Sequence, residues 1–184
     1  MTVVACLGDS ITEGSPFWDS RAQEGDPEGQ WEHWAALRYP ELTFRNFGIW
    51  GERTDEIGVR FDDAVRGADV LIVQGGINDI AQGRDVDTAA RNLGALVERG
   101  LALAIPVAVC DVLPWNNGWP DKDMAIRHLN EHIHNLGVPV LPFHATLQDP
   151  TRPGRIKDEW AHEDGDHPSI AGYRRLGETA FVLP

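Results

Sequence analysis

Five short apolar segments alternate with segments of helical periodicity, and this alternation constrains the fold more than any other feature. The apolar segments are residues 3–7, 43–47, 70–73, 106–112 and 138–141. Helical spacing of apolar side chains occurs at 57–65, 93–104 and 126–136, and shorter helices are predicted at 31–37 and 169–181. Strands that alternate with helices are typical of a parallel sheet covered on both faces. We therefore predict an α/β fold with five parallel strands.

The connections between these elements indicate where a site would lie. Two are long, residues 15–30 and 143–166, and both are expected near the carboxyl ends of strands, at the rim of a pocket. The second apolar segment is the weakest strand, because Arg45 and Asn46 interrupt it. We find no repeat and no composition shift, so residues 1–184 are predicted to form a single domain.

The charge balance excludes several classes of partner. The chain has 16 Lys and Arg against 29 Asp and Glu, a formal net charge of −13. Nucleic-acid binding relies on basic surfaces, so neither a nucleic acid nor an anionic membrane surface is an expected partner. No apolar segment is long enough to span a bilayer, and no signal peptide is recognisable, so a cytoplasmic protein is expected. Cys6 and Cys110 lie in predicted strands and are expected to be buried free thiols.

The first predicted strand runs into Gly8-Asp9-Ser10. Open α/β sheets place their sites at the carboxyl ends of strands, so Ser10 is a candidate nucleophile. The alternative is a strand-to-helix turn in which Ser10 only caps a helix, since Asp and Ser are favoured at such turns. Asp9 can bond within this turn, and we assign it no chemistry.

A serine nucleophile needs a base, and a histidine base needs an acid to orient it. His167 precedes the last predicted helix, and Asp164 lies three residues before it across a glycine. A turn of that length can return the carboxylate to the imidazole. Asp166 remains an alternative acid and His162 an alternative base at this point.

Three further histidines fall on the helix predicted at 126–136, and we expect them to be solvated surface residues. His128 and His132 have the i, i+4 spacing that can hold a metal. No glutamate completes a zinc-protease motif and no third ligand is evident, so the sequence predicts no metal site.

Two glycine-containing segments could supply donors to a developing oxyanion. Residues 47–54 follow the second strand, and residues 74–79, which contain Asn78, follow the third. Glycine permits close approach of the backbone to a ligand, and the asparagine amide is a neutral donor. Each segment alone is a weak signal, because such residues are common in turns.

Taken in order, these four segments resemble an SGNH hydrolase of the GDSL esterase/lipase family. Gly8-Asp9-Ser10 is similar to the first motif block and Gly51 to the glycine of the second. Asn78 is similar to the asparagine of the third block, and Asp164 with His167 to the fourth. Trp50 and Glu52 depart from a common family form, which has a small residue and an aspartate at these positions. The resemblance implies a flavodoxin-like three-layer α/β/α fold with strand order 2-1-3-4-5.

The resemblance also implies ester hydrolysis without a metal or cofactor, with a small-molecule ester as substrate. Ser10 would attack the carbonyl, His167 would act as base and Asp164 would orient it. The backbone N–H groups of Ser10 and Gly51 and the amide of Asn78 would form the oxyanion hole.

Substrate choice depends on the loops. Aromatic rings near the strand ends could line a pocket for a short acyl group, with acetyl preferred; they are Trp18, Trp50, Trp115 and Trp119. Packing beneath the loops is the alternative role for these rings. A lysophospholipase or thioesterase of the same family and a binding protein without turnover remain alternatives. A nucleotide- or flavin-binding domain is disfavoured because no phosphate-binding glycine motif is present.

Overall fold

The central sheet sets the frame of the molecule. The computed structural model describes residues 1–184. The sheet strands are β1 (Thr2–Gly8), β2 (Leu42–Gly48), β3 (Val70–Val73), β4 (Val107–Cys110) and β5 (Val140–Leu141). All neighbours pair in parallel, in the order β2-β1-β3-β4-β5. This confirms the predicted five-stranded parallel sheet and the order 2-1-3-4-5.

Nine α-helices flank or follow these strands. They are α1 (Ser10–Glu13), α2 (Trp31–Arg38), α3 (Thr54–Val59), α4 (Phe61–Val65), α5 (Ile77–Ala81), α6 (Val86–Ala102), α7 (Asp123–His134), α8 (Phe143–Leu147) and α9 (Ile170–Arg175). A π-helical turn, Leu176–Ala180, continues α9. The helix predicted over 57–65 is divided at Arg60, which ends α3 and precedes α4. None of these helices combines the length and apolarity needed to cross a membrane.

Successive side chains of β1 point to opposite faces, and both faces are buried. Val4 and Cys6 join a core that also contains the large side chains of Trp31, Phe143, Tyr173 and Phe181. Ala5 and Leu7 join the other core, with Ile57, Phe61, Leu93 and Ile126. Helices therefore cover the sheet on both sides, which is why the strands have nearly continuous apolar sequences. Cys6 and Cys110 are buried and unpaired, as predicted.

Strand β2 tolerates polar residues because it lies at the edge of the sheet. Asn46 is only partly buried, and its Oδ1 accepts a hydrogen bond from the Gly48 N–H at 2.8 Å. The register runs from Thr2 opposite Leu42 to Gly8 opposite Gly48. The turns that follow β1 and β2 therefore start side by side at one edge of the sheet.

The two long connections contain more structure than the sequence pattern indicated. Residues 15–30 include an antiparallel ribbon, Trp18–Asp19 with Glu24–Gly25. Residues 143–166 do not form one loop, because α8 occupies the first part of this segment. Phe143 and Leu147 are one helical turn apart and fully buried, so their packing against the sheet stabilises this short helix.

Candidate active site

Ser10 is the first residue of α1, and only Asp9 separates it from the end of β1. The carboxylate of Asp9 caps this helix, since its Oδ1 accepts a hydrogen bond from the Ile11 N–H at 3.0 Å. The Asp9 N–H donates in turn to Oε1 of Gln74 at 3.2 Å. The capping role considered for Ser10 thus belongs to Asp9, and the Ser10 hydroxyl is left free to face another group.

The Ser10 hydroxyl faces His167. The distance between Ser10 Oγ and His167 Nε2 is 3.0 Å, within hydrogen-bonding reach, although 157 residues separate them. On the other side of the ring, His167 Nδ1 lies 2.7 Å from Asp164 Oδ2. The structure therefore brings together three predicted residues in one hydrogen-bonded series, with the imidazole between hydroxyl and carboxylate.

The turn before α9 holds Asp164 in place. Asp164 Oδ1 accepts hydrogen bonds from the N–H groups of Asp166 and His167, at 2.9 and 3.0 Å. Partial burial favours the protonated carboxyl, but these backbone bonds and the His167 side chain outweigh burial and lower the pKa of Asp164 to about 2. The carboxylate is therefore ionised at neutral pH.

The two alternatives left open by the sequence occupy other positions. Asp166 Oδ1 accepts hydrogen bonds from Trp115 Nε1 and Asn117 Nδ2, each at 2.7 Å. It thereby ties the loop after β4 to the turn before α9. His162 Nδ1 lies 3.2 Å from the Asp164 backbone nitrogen and 3.1 Å from its Oδ2, and the ring makes no hydrogen bond to Ser10.

The Asn78 side chain is held by the loop that carries Gly51. Its Nδ2 donates to the Glu52 carbonyl at 2.9 Å, which leaves the second N–H of the amide free. Gly51 has φ +79°, in the left-handed region where a side chain would be strained. Two of the three predicted oxyanion donors, Gly51 and Asn78, thus lie on the loop after β2 and in the first turn of α5, and a hydrogen bond joins these two segments.

Asp79 and Arg60, for which the sequence predicted no role, hold the segments around the site together by hydrogen bonds. Asp79 is buried in α5, and its carboxylate accepts hydrogen bonds from the N–H and the hydroxyl of Thr54, both at 2.9 Å. Arg60 donates to the carbonyls of Phe47 and Gly8. Asp79 directly follows Asn78 in the sequence, but nothing in the local pattern shows its partner, which lies 25 residues away.

Ser10, Asn78 and His167 line one small cavity of about 120 Å³, together with Trp50 and Trp115. A wider, open groove of about 510 Å³ adjoins it and shares Trp50, Asp166 and His167. Trp18 lies in this groove, on the ribbon of the 15–30 connection. Trp50 is 65% exposed and projects at the boundary between the two spaces.

The remaining tryptophan near a strand end does not line either space. Trp119 lies outside both cavities, and the Arg155 guanidinium stacks over its ring at 5.6 Å.

The active-site groove is acidic on balance, with Glu13, Asp19 and Asp164 on its walls. Among the carboxylate, histidine and cysteine side chains, the one group with metal-ligand spacing lies on α6 and α7, outside this site.

Comparison with known proteins places the chain in a family. The model of a GDSL-like lipase/acylhydrolase family matches residues 6–175, which include Ser10, Gly51, Asn78, Asp164 and His167. The chain belongs to this GDSL-like family. Its first motif reads Gly-Asp-Ser-Ile, with the buried Ile11 in the fourth position. A comparison with curated protein sequences finds no significant match.

Several solved structures share the fold over nearly the full chain. A lipolytic protein of the G-D-S-L family from Desulfitobacterium hafniense superposes with a TM-score of 0.81 and 21% identity, with 97% of each chain covered. A family member from Veillonella parvula gives a TM-score of 0.79 and 20% identity, with 97% of this chain and 95% of that chain covered. The psychrotrophic esterase EstA from Pseudoalteromonas sp. gives 0.75 and 17%, with 97% and 93% covered.

At these identities the likeness concerns the fold. Membership of the GDSL family adds the general activity, because it is a family of lipases and acylhydrolases. The chain is therefore a hydrolase of ester substrates. Its mechanism and its choice of acyl group depend on the geometry of its own residues.

Proposed function

We propose that this protein hydrolyses short-acyl esters, acetyl esters in particular, through an acyl-enzyme formed on Ser10. The observation that carries the proposal is the series Ser10–His167–Asp164, with distances of 3.0 and 2.7 Å between consecutive side chains. A hydroxyl becomes an effective nucleophile only when a base accepts its proton, and His167 Nε2 is placed to accept it.

The reaction proceeds in two halves. Ser10 Oγ attacks the ester carbonyl while its proton passes to His167 Nε2, and Asp164 stabilises the imidazolium. The carbon–oxygen bond to the alcohol then breaks, and the alcohol leaves with the proton that His167 returns. In the second half, water attacks the acyl-enzyme, His167 takes the proton of the water, and the carboxylic acid departs as Ser10 Oγ regains a proton.

The tetrahedral oxyanion needs hydrogen-bond donors that are already oriented. We assign this role to the backbone N–H groups of Ser10 and Gly51 and to the side-chain amide of Asn78. The bond from Asn78 to the Glu52 carbonyl at 2.9 Å supports the assignment, since it fixes the amide plane and leaves one N–H free. Fixed donors cost no reorganisation when the charge develops.

The size of the cavity beside Ser10 supports a short acyl group. This cavity is small, at about 120 Å³, and such a space favours an acetyl group over a long acyl chain. Trp50 and Trp115 line this space. The open groove next to it, of about 510 Å³, suits a larger leaving group, and its acidic walls favour a neutral or cationic alcohol.

Hydrolysis of p-nitrophenyl esters tests the proposal. The wild type is expected to cleave the acetyl ester faster than the butyryl and octanoyl esters, and Ser10→Ala is expected to lose activity. Ser20→Ala, the same change at a serine whose hydroxyl donates to Glu13 and which does not line the cavity beside Ser10, should keep most of it. Mass spectrometry of the quenched acetyl reaction should show one acetyl group on the peptide that contains Ser10.

Three results would contradict the proposal. Equal rates for the wild type and Ser10→Ala would remove Ser10 as the nucleophile. No hydrolysis of any ester by the folded wild type would favour a binding protein without turnover. A preference for the octanoyl ester would show that the cavity beside Ser10 does not select the acyl group.

A further inference from the structure

Three side chains from two helices meet on the surface away from the active site. His128 and His132 lie one turn apart on α7, and Asp87 lies in the first turn of α6. His128 Nε2 is 3.1 Å and His132 Nε2 is 3.3 Å from the same atom, Asp87 Oδ1. The two Nε2 atoms are themselves 3.3 Å apart. The three atoms thus form a nearly equilateral triangle.

This triangle has the dimensions of one face of a tetrahedral metal site. Zinc binds histidine nitrogen and carboxylate oxygen at about 2.0–2.2 Å, and tetrahedral ligands at such distances are about 3.3–3.5 Å from one another. The observed edges of 3.1 to 3.3 Å are close to this range. The side chains therefore need little movement to accept an ion.

Hydrogen bonds within the cluster depend on which nitrogen atoms carry a proton. If both imidazoles carry a proton on Nε2, both can donate to Asp87 Oδ1, but the two N–H groups then crowd each other along the 3.3 Å edge. If only one carries it, that N–H can donate either to Asp87 Oδ1 or to the other Nε2 at 3.3 Å. A central cation is attracted to all three ligand atoms at once.

We propose that Asp87, His128 and His132 bind one divalent transition-metal ion, preferentially Zn²⁺, which links α6 to α7. Two imidazoles and one carboxylate favour zinc over calcium and magnesium, which prefer sites made of oxygen ligands. The three side chains remain 55%, 52% and 43% exposed, so water can supply the fourth ligand.

The neighbouring charges leave the site open to a cation. Asp87, His128 and His132 line a surface groove between α6 and α7. Arg91 lines this groove too, but its guanidinium donates to Thr88 Oγ1 at 2.6 Å and lies 3.7 Å from Asp85. The charge of Arg91 is therefore paired with Asp85 and not with Asp87. Glu98 lines the groove as well and adds negative potential.

The spacing of the histidines alone does not reveal this site, because the third ligand is remote in sequence. Asp87 and His128 are separated by 41 residues, and only the packing of α6 beside α7 brings them together. This explains why a sequence that predicts no metal site can still fold into a metal-binding cluster. The inference is independent of the ester chemistry, since no member of the cluster lines the active-site cavity.

Titration calorimetry with ZnCl₂ on metal-stripped protein without a histidine tag tests the proposal. We expect one zinc ion per chain, and more than about tenfold weaker binding in His128→Ala, His132→Ala and Asp87→Asn. His134→Ala is the matched control, because His134 is exposed on the same helix but contacts Asp111. The control should bind zinc like the wild type.

Thermal unfolding provides a second measurement. Zinc should raise the unfolding temperature of the wild type and of His134→Ala, but not that of the three cluster variants, and calcium should have no comparable effect. All three substitutions are at exposed positions, so circular dichroism should show folded variants. Absence of saturable zinc binding, or equal affinity in the wild type and in His128→Ala, would overturn the proposal.

Discussion

The substitution Asp164→Asn tests how Asp164 orients His167, because it should leave the turn that contains both residues folded. An asparagine at this position retains Oδ1, which can still accept the N–H groups of Asp166 and His167 at 2.9 and 3.0 Å. The change instead affects the other oxygen, which lies 2.7 Å from His167 Nδ1. An amide NH₂ placed there is a donor, so it favours the tautomer that has its lone pair on Nδ1 and its proton on Nε2.

That tautomer cannot accept the Ser10 proton. The His167 Nε2 atom, 3.0 Å from Ser10 Oγ, then carries a hydrogen and can only donate. Loss of the correct tautomer costs a serine hydrolase roughly 10⁴-fold in turnover, or about 5 kcal/mol in the activation barrier. Because the Asp164 pKa is lowered to about 2, the wild-type carboxylate stays ionised across the assay range and the full difference should be visible.

The assay is turnover of p-nitrophenyl acetate at neutral pH, with Asp166→Asn as the control. Asparagine at 166 keeps an oxygen that can accept the bonds from Trp115 and Asn117, so the loss should be less than about tenfold, or ~1.4 kcal/mol. Circular dichroism checks that both variants fold. A larger loss in Asp166→Asn than in Asp164→Asn would refute the reasoning and move the orienting role to Asp166.

Three further outcomes are expected. Asn78→Ala should lower kcat for p-nitrophenyl acetate by roughly 10²–10³-fold with a small change in KM, and an unchanged kcat would exclude the amide as an oxyanion donor. Trp50→Ala should enlarge the cavity beside Ser10 and raise the octanoyl-to-acetyl rate ratio by about tenfold or more, whereas a constant ratio would show that Trp50 does not limit acyl length. Burial raises the pKa of Asp9 from 3.8 to about 6, so the folded state binds a proton that the unfolded chain has released. As the pH rises from 4 to 6, the free energy of unfolding of the wild type should therefore fall, by on the order of 3 kcal/mol from this group. Urea unfolding of Asp9→Asn should lack that part of the decline. Identical pH profiles of the two proteins would contradict this assignment.

Local sequence pattern was sufficient for most of the fold. All five strands were predicted from short apolar segments, because a sheet buried on both faces needs apolar side chains at nearly every position. Strand β2 shows the limit of this pattern. Arg45 and Asn46 are tolerated there by the edge position, which depends on the order of strands and not on the segment itself.

Helix boundaries were less predictable. The apolar stripe over 57–65 is continuous, yet the chain divides it at Arg60, whose guanidinium donates to the carbonyls of Gly8 and Phe47 at the sheet. The helix α8 lay in a segment that was predicted to be a loop. Its two buried side chains, Phe143 and Leu147, are recognisable as core residues only once their partners on the same face of the sheet, such as Trp31, are known.

For the site, the sequence determined which chemical groups are present and in what order. It supplied Gly8-Asp9-Ser10 after a strand, Asn78 after another, and Asp164 and His167 before the last helix. Tertiary structure decided how these groups are paired. Asp164, and not Asp166, contacts His167, because the backbone of a short turn directs the first carboxylate to Nδ1 and leaves the second beside Trp115.

The Gly8-Asp9-Ser10 turn and the cluster of Asp87, His128 and His132 both show which properties the sequence determines and which only the tertiary structure decides. Residue types and short spacings are properties of the chain, so a motif or an i, i+4 pair of histidines can be read directly from it. Contacts between residues that are 157 or 41 positions apart exist only after the sheet and its helices have packed. Distance in space between remote side chains is set by that packing, and it determined both the partner of Ser10 and the third ligand of the proposed zinc site.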